Sequence, residues 1–286
     1  MLQRNASGSG IGGIGVSATL AEAVKLCGWR TTRQHDAWSR LGYLQLGIYS
    51  DDEVPDELPD LLHAADLPCV VHLLEINLML DLGPQEQALR ALLPKIETLA
   101  PAYIEEDVGL WRWGQTALEQ HMLPPVFDDE SLRTIAENVK DLRQRIGLPF
   151  YVENPPIYFE VGPIDVLTFM QRLAEEAECE LVLDIGHLVG YCAATGRDPE
   201  EYVGEWTGIE HVHEVHVAGY TMLPDPAGVP MWYDDHAQPI SGYALELVEL
   251  VRRLSGRDLP ITLEQQRATF GRIADHVGAV AGRFWR

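Results

Sequence analysis

Cysteine is scarce: the 286 residues hold only Cys27, Cys69, Cys179 and Cys192. None of their spacings makes a zinc ribbon or a redox CxxC, so they read as reduced packing residues. No apolar run approaches the roughly 20 residues that a bilayer-spanning helix needs. The Gly/Ser-rich opening MLQRNASGSGIGGIG lacks the basic-then-apolar order of a signal peptide. The expectation is a cytoplasmic protein with no membrane partner. Basic residues are also few, 21 Lys and Arg against 44 Asp and Glu, for a formal net charge of -23. Phosphate backbones are bound by Lys and Arg that displace counterions, so nucleic acid is not an expected partner. Most of the acidic surplus reads as solvated helix faces, and an acidic protein favours a substrate with some positive charge. No GxSxG elbow, P-loop or HExxH occurs. The glycines of IGGIGVSA do not fit GxGxxG, and they open a strand where a dinucleotide loop would follow one. No linker, repeat or low-complexity tract divides the chain.

What is present is alternation. Short Val/Ile/Leu-rich segments alternate with longer amphipathic ones, the pattern of repeated βα units on a parallel sheet. Eight strands are expected, at about Ile11–Ala18, Tyr43–Tyr49, Cys69–Leu74, Ala102–Val108, Phe150–Asn154, Leu181–His187, Val212–Ala218 and Ile261–Gln265. Between them Pro84–Leu99, Asp128–Ile146, Pro163–Glu178 and Ser241–Leu254 read as helices, several opened by Pro, Asp or Ser. A (β/α)8 barrel typically needs roughly 250 residues. The expected fold is therefore α/β, one (β/α)8 TIM-barrel domain over residues 1–286. His187–Ile209 and Gly219–Pro239 remain as long connections, and loops of that length are commonly functional.

In such a barrel the active site lies at the C-terminal ends of the strands. Here strand after strand ends in a metal-binding side chain. Strand three ends CVVHLLE with His72, and strand four ends AYIEEDVG with Glu105, Glu106 and Asp107. Strand five ends FYVENPP with Glu153 and Asn154, and strand six ends LVLDIGH with Asp184 and His187. Strand seven ends VHEVHVAG with His213, Glu214 and His216, the following loop holds YDDHAQP with Asp234 and His236, and strand eight ends ITLEQQ with Glu264. Alone, each is weak: a single His near a strand is more often structural, the stronger reading for His211 or His213, and a single Asp or Glu can cap a helix. Together they form a mixed oxygen and nitrogen donor set suited to Fe, Mn or Zn. Buried carboxylates without partners are costly, and metal ions are a common way to accommodate them. Trp111 to Gly114, WRWG, read more readily as packing than as a substrate wall.

These residues carry a resemblance. HMLPPVFDDESL, YVENPPIYF, ECELVLDIGHLVG, the DPEEY turn and EVHVAG, followed by YDDHAQPI and ITLEQQ, resemble in order the multinuclear non-heme iron-dependent oxidative enzymes. That group includes the methanobactin-biosynthesis oxidase and other peptide-tailoring enzymes. More distantly the same skeleton is similar to xylose isomerase-like barrels and type IV endonucleases. The resemblance implies two or three irons, mixed Fe(II)/Fe(III), with O2 as co-substrate. It also implies a four-electron oxidation of a cysteine or related residue on a ribosomally made peptide, or of a small thiol. The precursor is often delivered by a separate partner protein.

By the same resemblance Glu153 and Glu264 bridge or anchor the deep ions, and Asp184 and His216 complete that shell. His187, Asp234 and His236 hold an adjacent ion, His72 is available to it or to a third, and Glu106 and Asp107 are further candidate ligands. Asp234 is preferred over Asp235 by alternation and by the family pattern. Glu153, Asp184, His216 and Tyr220 make up the expected catalytic set, with Tyr220 or Asn154 positioning substrate. Three positions depart from the family: Gln45 replaces a Glu-containing segment on strand two, Glu106-Asp107-Val108 replaces Asp/Glu-His-Leu, and Tyr220 replaces the His after AG. The metal count thus stays open between two and three. Competing readings are a Mn- or Mg-dependent sugar isomerase or epimerase, a metal-dependent phosphoesterase, and a barrel that only stores metal. The His-rich ligand set weighs against Mg.

Overall fold

The computed structural model describes residues 11–32, 36–113, 116–118, 122–159, 161–223, 231–265 and 268–285. The opening decapeptide, Gly114 of WRWG, His121 of HMLPPVF, Gln266 of ITLEQQ and residues 224–230 of the Gly219–Pro239 connection lie outside them.

Eight parallel strands close into a barrel: β1 (Ile14–Ala18), β2 (Leu41–Ile48), β3 (Cys69–Leu73), β4 (Ile104–Asp107), β5 (Phe150–Glu153), β6 (Leu181–Asp184), β7 (Val212–Val217) and β8 (Ile261–Leu263). Neighbours in sequence are neighbours in space, and β8 returns to β1 with Ile14 opposite Ile261 and Val16 opposite Leu263. Helices α1 (Leu20–Thr32), α2 (Leu58–Ala65), α3 (Glu86–Leu99), α4 (Asp129–Ile146), α5 (Val166–Ala177), α6 (Ile185–Thr195), α7 (Pro199–Glu205), α8 (Gly242–Ser255) and α9 (Phe270–Phe284) accompany them. The expected α/β barrel is the fold observed, and each expected strand matches one of the eight with its ends adjusted by a few residues.

The period of two along each strand divides its residues between two environments. Residues such as Val16, Leu44, Leu46, Val71, Ile104, Val152, Leu183, Val215 and Leu263 join the main core between sheet and helices. The alternate residues form a separate interior cluster of Ile11, Tyr43, Val70, Tyr103, Tyr151 and Val182 at the N-terminal end of the barrel. Two residues further along, the same inward faces become Gln45, His72, Glu105, Glu153 and Asp184, all buried. The barrel interior is thus apolar and aromatic at one end and ionisable at the other. Gly15 makes room for this arrangement, because a Cβ there would lie 2.3 Å from the Tyr43 ring.

Two elements differ from the sequence reading. The sixth strand does not run to His187: the chain turns helical at Ile185, because the Asp184 side chain caps α6 by accepting from His187 N. His187–Ile209 is accordingly no long loop but α6, α7 and a short 3-10 turn over Thr207–His211. The Gly219–Pro239 connection carries an antiparallel ribbon, Tyr220–Leu223 paired with Met231–Asp234. That ribbon lies against α6, with Trp232 O 2.8 Å from where a Cβ on Gly190 would be.

Caps recur where sequence placed helix starts. Asp128 accepts from Glu130 N and Ser131 N at the start of α4, and Gly147 ends that helix with φ 74. Asp198 does the same ahead of Pro199 in α7. Asp128→Ala is expected to lower stability by about 1 kcal/mol, read as a shift of the urea midpoint at unchanged slope. An unmoved midpoint would mean that the packed face of α4, not its cap, sets its stability.

Candidate metal centre

At the C-terminal mouth the inward side chains meet in three overlapping groups. Glu153 of β5, Asp184 of β6, His216 of β7 and Glu264 just after β8 present ligand atoms that all lie within 4.8 Å of one another. His72, Asp107 and Glu153 form a second group, and Glu105, Glu214 and His216 a third, deeper one. A fourth set lies toward solvent: His236 Nε2 is 2.7 Å from Asp234 Oδ2 and 3.4 Å from Glu264 Oε2, and His187 Nε2 is 3.9 Å from Asp234 Oδ2.

The close approaches at the centre are not ordinary ion pairs. His216 Nδ1 lies 3.1 Å from Glu153 Oε2, yet neither atom has a hydrogen-bond partner. Asp107 Oδ1, Asp184 Oδ2, Asp234 Oδ1 and His72 Nδ1 are likewise buried without one. Nearly all buried polar atoms in proteins are satisfied, so a run of orphaned carboxylate oxygens and imidazole nitrogens on these clustered residues calls for an explanation. Cations there would satisfy them, and the mixed carboxylate and imidazole donors suit a divalent transition metal.

Neighbouring groups fix individual side chains. Asn154 ties β5 to β6, with its Oδ1 accepting from Asp184 N (2.8 Å) and its Nδ2 donating to Asp184 O (3.1 Å). His187 Nδ1 lies 2.7 Å from Asn154 O. A carbonyl can only accept, so Nδ1 carries a proton and Nε2 is the nitrogen turned toward Asp234, its lone pair free for an ion once its own proton is displaced. Gly186 is required beside them, because a Cβ would meet Asp234 Oδ1 at 2.6 Å.

Electrostatics reflect crowding. Burial pushes Asp184 up to about 8, with Asp234, Glu153 and Glu264 adding like charge against the pull of His187. Burial and the Glu153 carboxylate push Asp107 up to about 6 against the pull of His72. Glu153 is also buried, but the surrounding histidines, His216 first, hold it below the usual range. Burial alone would lower the imidazoles. Instead, Asp184, Asp234 and Glu153 raise His187 to about 9, and Asp234 and Glu264 raise His236 to about 10.

The structure therefore brings together His72, Asp107, Glu153, Asp184, His187, His216, Asp234, His236 and Glu264. It places two expected residues apart from them. Glu106 joins none of the groups: it falls on the other side of β4, where its Oε1 accepts from Trp111 Nε1 (2.6 Å) and Asp107 N (3.0 Å). The Tyr220 hydroxyl donates to Ser241 Oγ (3.0 Å) at the start of α8, and Tyr220 does not line the cavity. Asn154 clamps Asp184 and is not turned to a substrate. Asp235 binds Thr221 Oγ1 and Ala237 N, and it is Asp234 that faces the histidines. His213 packs on Tyr103 and Tyr151 among the core aromatics. Glu105 and Glu214, passed over as ligands, lie two residues before Asp107 and His216, so the strand period was the signal for them.

Above the groups opens a cavity of about 750 Å3. His72, Asp107, Glu153, His187, Asp234, His236 and Glu264 line its floor, and Tyr49, Trp111, Met122, Tyr158 and Tyr233 are among its walls. Trp111 is thus a wall as well as packing, its indole edge-on to the His72 ring at 6.3 Å. Arg112 is the one Lys or Arg lining the cavity among the described residues. A furrow of about 770 Å3 at the opposite end, past Arg143, Cys179 and His211, holds none of these groups.

The family described as RiPP precursor modification enzyme MbnB/TglH/ChrH matches residues 49–275. A UPF0276 protein of Rhizobium meliloti is 27% identical over 175 residues, 60% of this chain and 56% of the relative. One from Caulobacter vibrioides is 25% identical over 218 residues, 75% of this chain and 76% of the relative. The chain thus spans little more than half the length of the first. Among solved structures, a xylose isomerase domain protein from Planctomyces limnophilus superposes with TM-score 0.62 at 10% identity, covering 96% of this chain and 98% of that one. A D-allulose 3-epimerase from Methylomonas sp., in complex with D-allulose, gives 0.58 at 13%, covering 90% and 84%. At these identities the likeness is one of fold.

The raised groups set a pH dependence. The folded state holds the His187 and His236 protons up to about 9 and 10, whereas an unfolded His releases its proton near ~6.5. Their stabilisation is complete below that value and is lost as pH rises through 9 and 10. Asp184 keeps its proton to about 8 when folded and releases it near ~3.9 when unfolded, so its contribution also declines on raising pH. The metal-free protein should therefore melt at a lower temperature at pH 9.5 than at pH 6.5. Divalent metal must displace these protons, so its affinity should rise over the same window. A melting temperature that climbs to pH 9.5 without metal would contradict this reading of the site.

Proposed function

Because this chain belongs to the RiPP precursor modification enzyme MbnB/TglH/ChrH family, we propose that it is an iron-dependent, O2-using oxidase that modifies a cysteine or related residue of a ribosomally made peptide. The observation that carries the reading is the cluster of orphaned, buried donor atoms on Asp107, Glu153, Asp184, His216 and Asp234 beneath the cavity. Two or three ions are accommodated: Glu153, Asp184, His216 and Glu264 would hold one, His187, Asp234 and His236 a second, and His72 and Asp107, sharing Glu153, a third. When bound there, iron would supply Lewis acidity toward a substrate thiolate and one-electron chemistry with O2. Oxidation of the substrate by four electrons balances reduction of one O2 to two waters.

The chain's own residues do the rest. Asn154 O fixes the His187 tautomer, so that Nε2 faces the cavity with its lone pair. Glu153, shared by two donor groups, and Glu264, which reaches both the first group and His236, would couple neighbouring ions. The aromatic walls from Tyr49, Trp111, Tyr158 and Tyr233 exclude water around a bound side chain. A peptide, longer than a free thiol, would extend past Arg112, whose guanidinium offers charge-assisted hydrogen bonds to an anionic group on it.

Anaerobic purification from iron-supplemented cells, followed by metal analysis and Mössbauer spectroscopy, tests the reading. Two or more irons per chain in a coupled or mixed-valent cluster are expected, with loss of the cluster in Asp184→Ala. Retention of Zn, Mn or Mg at full occupancy, with no iron, would sink the oxidase. With a cysteine-bearing peptide as substrate, Arg112→Ala should raise KM about tenfold or more, as for loss of a charged hydrogen bond, and leave kcat in place. An equal fall in kcat with unchanged KM would remove Arg112 from substrate binding.

A further inference from the structure

His216 stands between two layers of carboxylates. Its Nδ1 faces the mouth, 3.1 Å from Glu153 Oε2 and 3.6 Å from Glu264 Oε1. Its Nε2 faces the barrel interior, 3.5 Å from Glu214 Oε1, 3.7 Å from Glu105 Oε2 and 3.3 Å from the Gln45 amide nitrogen. His216, Glu105 and Glu214 are fully buried.

The inner layer is bonded more fully than the outer one: of its four carboxylate oxygens, Glu105 Oε2 is the one without a hydrogen-bond partner. Both oxygens of Glu214 are occupied: Tyr43 OH donates to Oε1 (2.6 Å), Thr262 Oγ1 donates to the same oxygen, and Tyr103 OH donates to Oε2. Glu105 Oε1 accepts from Gln45 Nε2 (2.7 Å). Among the described residues, neutral hydroxyls and an amide, with no Lys or Arg hydrogen-bonded to either, thus hold the two carboxylates. A carboxylate already filled by three hydroxyl donors is a poor metal ligand. As a partner for an imidazole N–H it is well suited, since a histidine that binds metal through one nitrogen commonly donates its other N–H to a carboxylate.

Both tautomers of His216 are provided for. With the proton on Nδ1, Nε2 can accept from the Gln45 amide. With Nδ1 committed to an ion, the proton must sit on Nε2, where Glu214 Oε1 lies at the limit of hydrogen-bond reach (3.5 Å) and Glu105 Oε2 stands beside it at 3.7 Å. We propose that Glu214 and Glu105 are positioning residues for the deep metal position, acting through His216: they take its Nε2–H, aim Nδ1 at the ion and make the imidazole a stronger donor. The inference rests on the metal-site reading above. It assigns Tyr43, Tyr103 and Thr262 the task of holding the Glu214 carboxyl group in place, and Gln45 that of holding Glu105.

The test uses the full chain, stripped of metal and titrated anaerobically with Co(II) against a competing chelator. The Fe(III)/Fe(II) midpoint potential is measured separately after iron loading. Glu214→Gln, and independently Tyr103→Phe, which removes one hydroxyl, should each weaken the tightest Co(II) site by about 10- to 100-fold, the range for loss of an outer carboxylate partner. The number of ions bound at saturation should stay the same, and the midpoint potential should rise as the imidazole becomes a poorer donor. If the wild type binds neither Co(II) nor iron, the metal-site reading fails. If it binds them and both variants match it in affinity and potential, the metal site stands and this inference falls. Complete loss of one equivalent in Glu214→Gln, with the remaining affinities unchanged, would make the inner layer an ion site in its own right and overturn the proposal.

Discussion

Everything in this structure answers to one constraint, an excess of negative charge buried at one end of a barrel. Among the described residues the imidazoles of His72, His187, His216 and His236 stand against the carboxylates of Glu105, Asp107, Glu153, Asp184, Glu214, Asp234 and Glu264. Even with every imidazole protonated, three negative charges would remain. Removing an ion from water costs several kcal/mol after relaxation, while a whole domain is stable by only about 5–15 kcal/mol. The protein limits this cost without metal by keeping protons on Asp184 and on the histidines, and by surrounding Glu214 with hydroxyls. What it cannot supply from within is a partner for the orphaned oxygens at the mouth.

The fold was legible because the barrel repeats one simple rule. Apolar segments of strand length, separated by capped amphipathic helices, admit few other arrangements, and the eight strands appear where the alternation put them. The site was legible for a related reason: inward faces change from Tyr and Val to Glu, His and Asp within two residues along the same strand. Where the reading went astray, it neglected that period. Glu106 was chosen over Glu105 although Asp107 and Glu105 must share a face. Tyr220 follows the AG motif, but its hydroxyl is taken up by Ser241 Oγ at the start of α8, a partner far along the chain that local sequence does not reveal. The limit of the sixth strand was hidden because Asp184 is both an apolar strand's last residue and a helix cap.

That double role of Asp184 shows how closely fold and site are joined. One oxygen starts α6 by accepting from His187 N, and the other is left for the mouth. Asn154 binds both the N–H and the C=O of the same residue and receives His187 Nδ1. A strand end, a helix start and two donor side chains are thus set by one amide. Such a cluster is rigid in the way a functional site needs, since each orienting bond runs to backbone. It also means that substitutions there report on stability and on ion binding at once.

The donors are not equally embedded. Glu153, Asp184 and His216 belong to barrel strands and are almost wholly shielded from solvent, whereas Asp234 ends a two-strand ribbon laid over α6 and His236 is partly exposed just beyond it. The ribbon's strands pair with each other in a sheet separate from the barrel, so a local opening of the ribbon would bare Asp234 and His236 while the barrel's strand pairing stayed intact. Whatever the mouth receives would then be held on two timescales, briefly at the donors the ribbon carries and for as long as the barrel stays closed at those its strands carry.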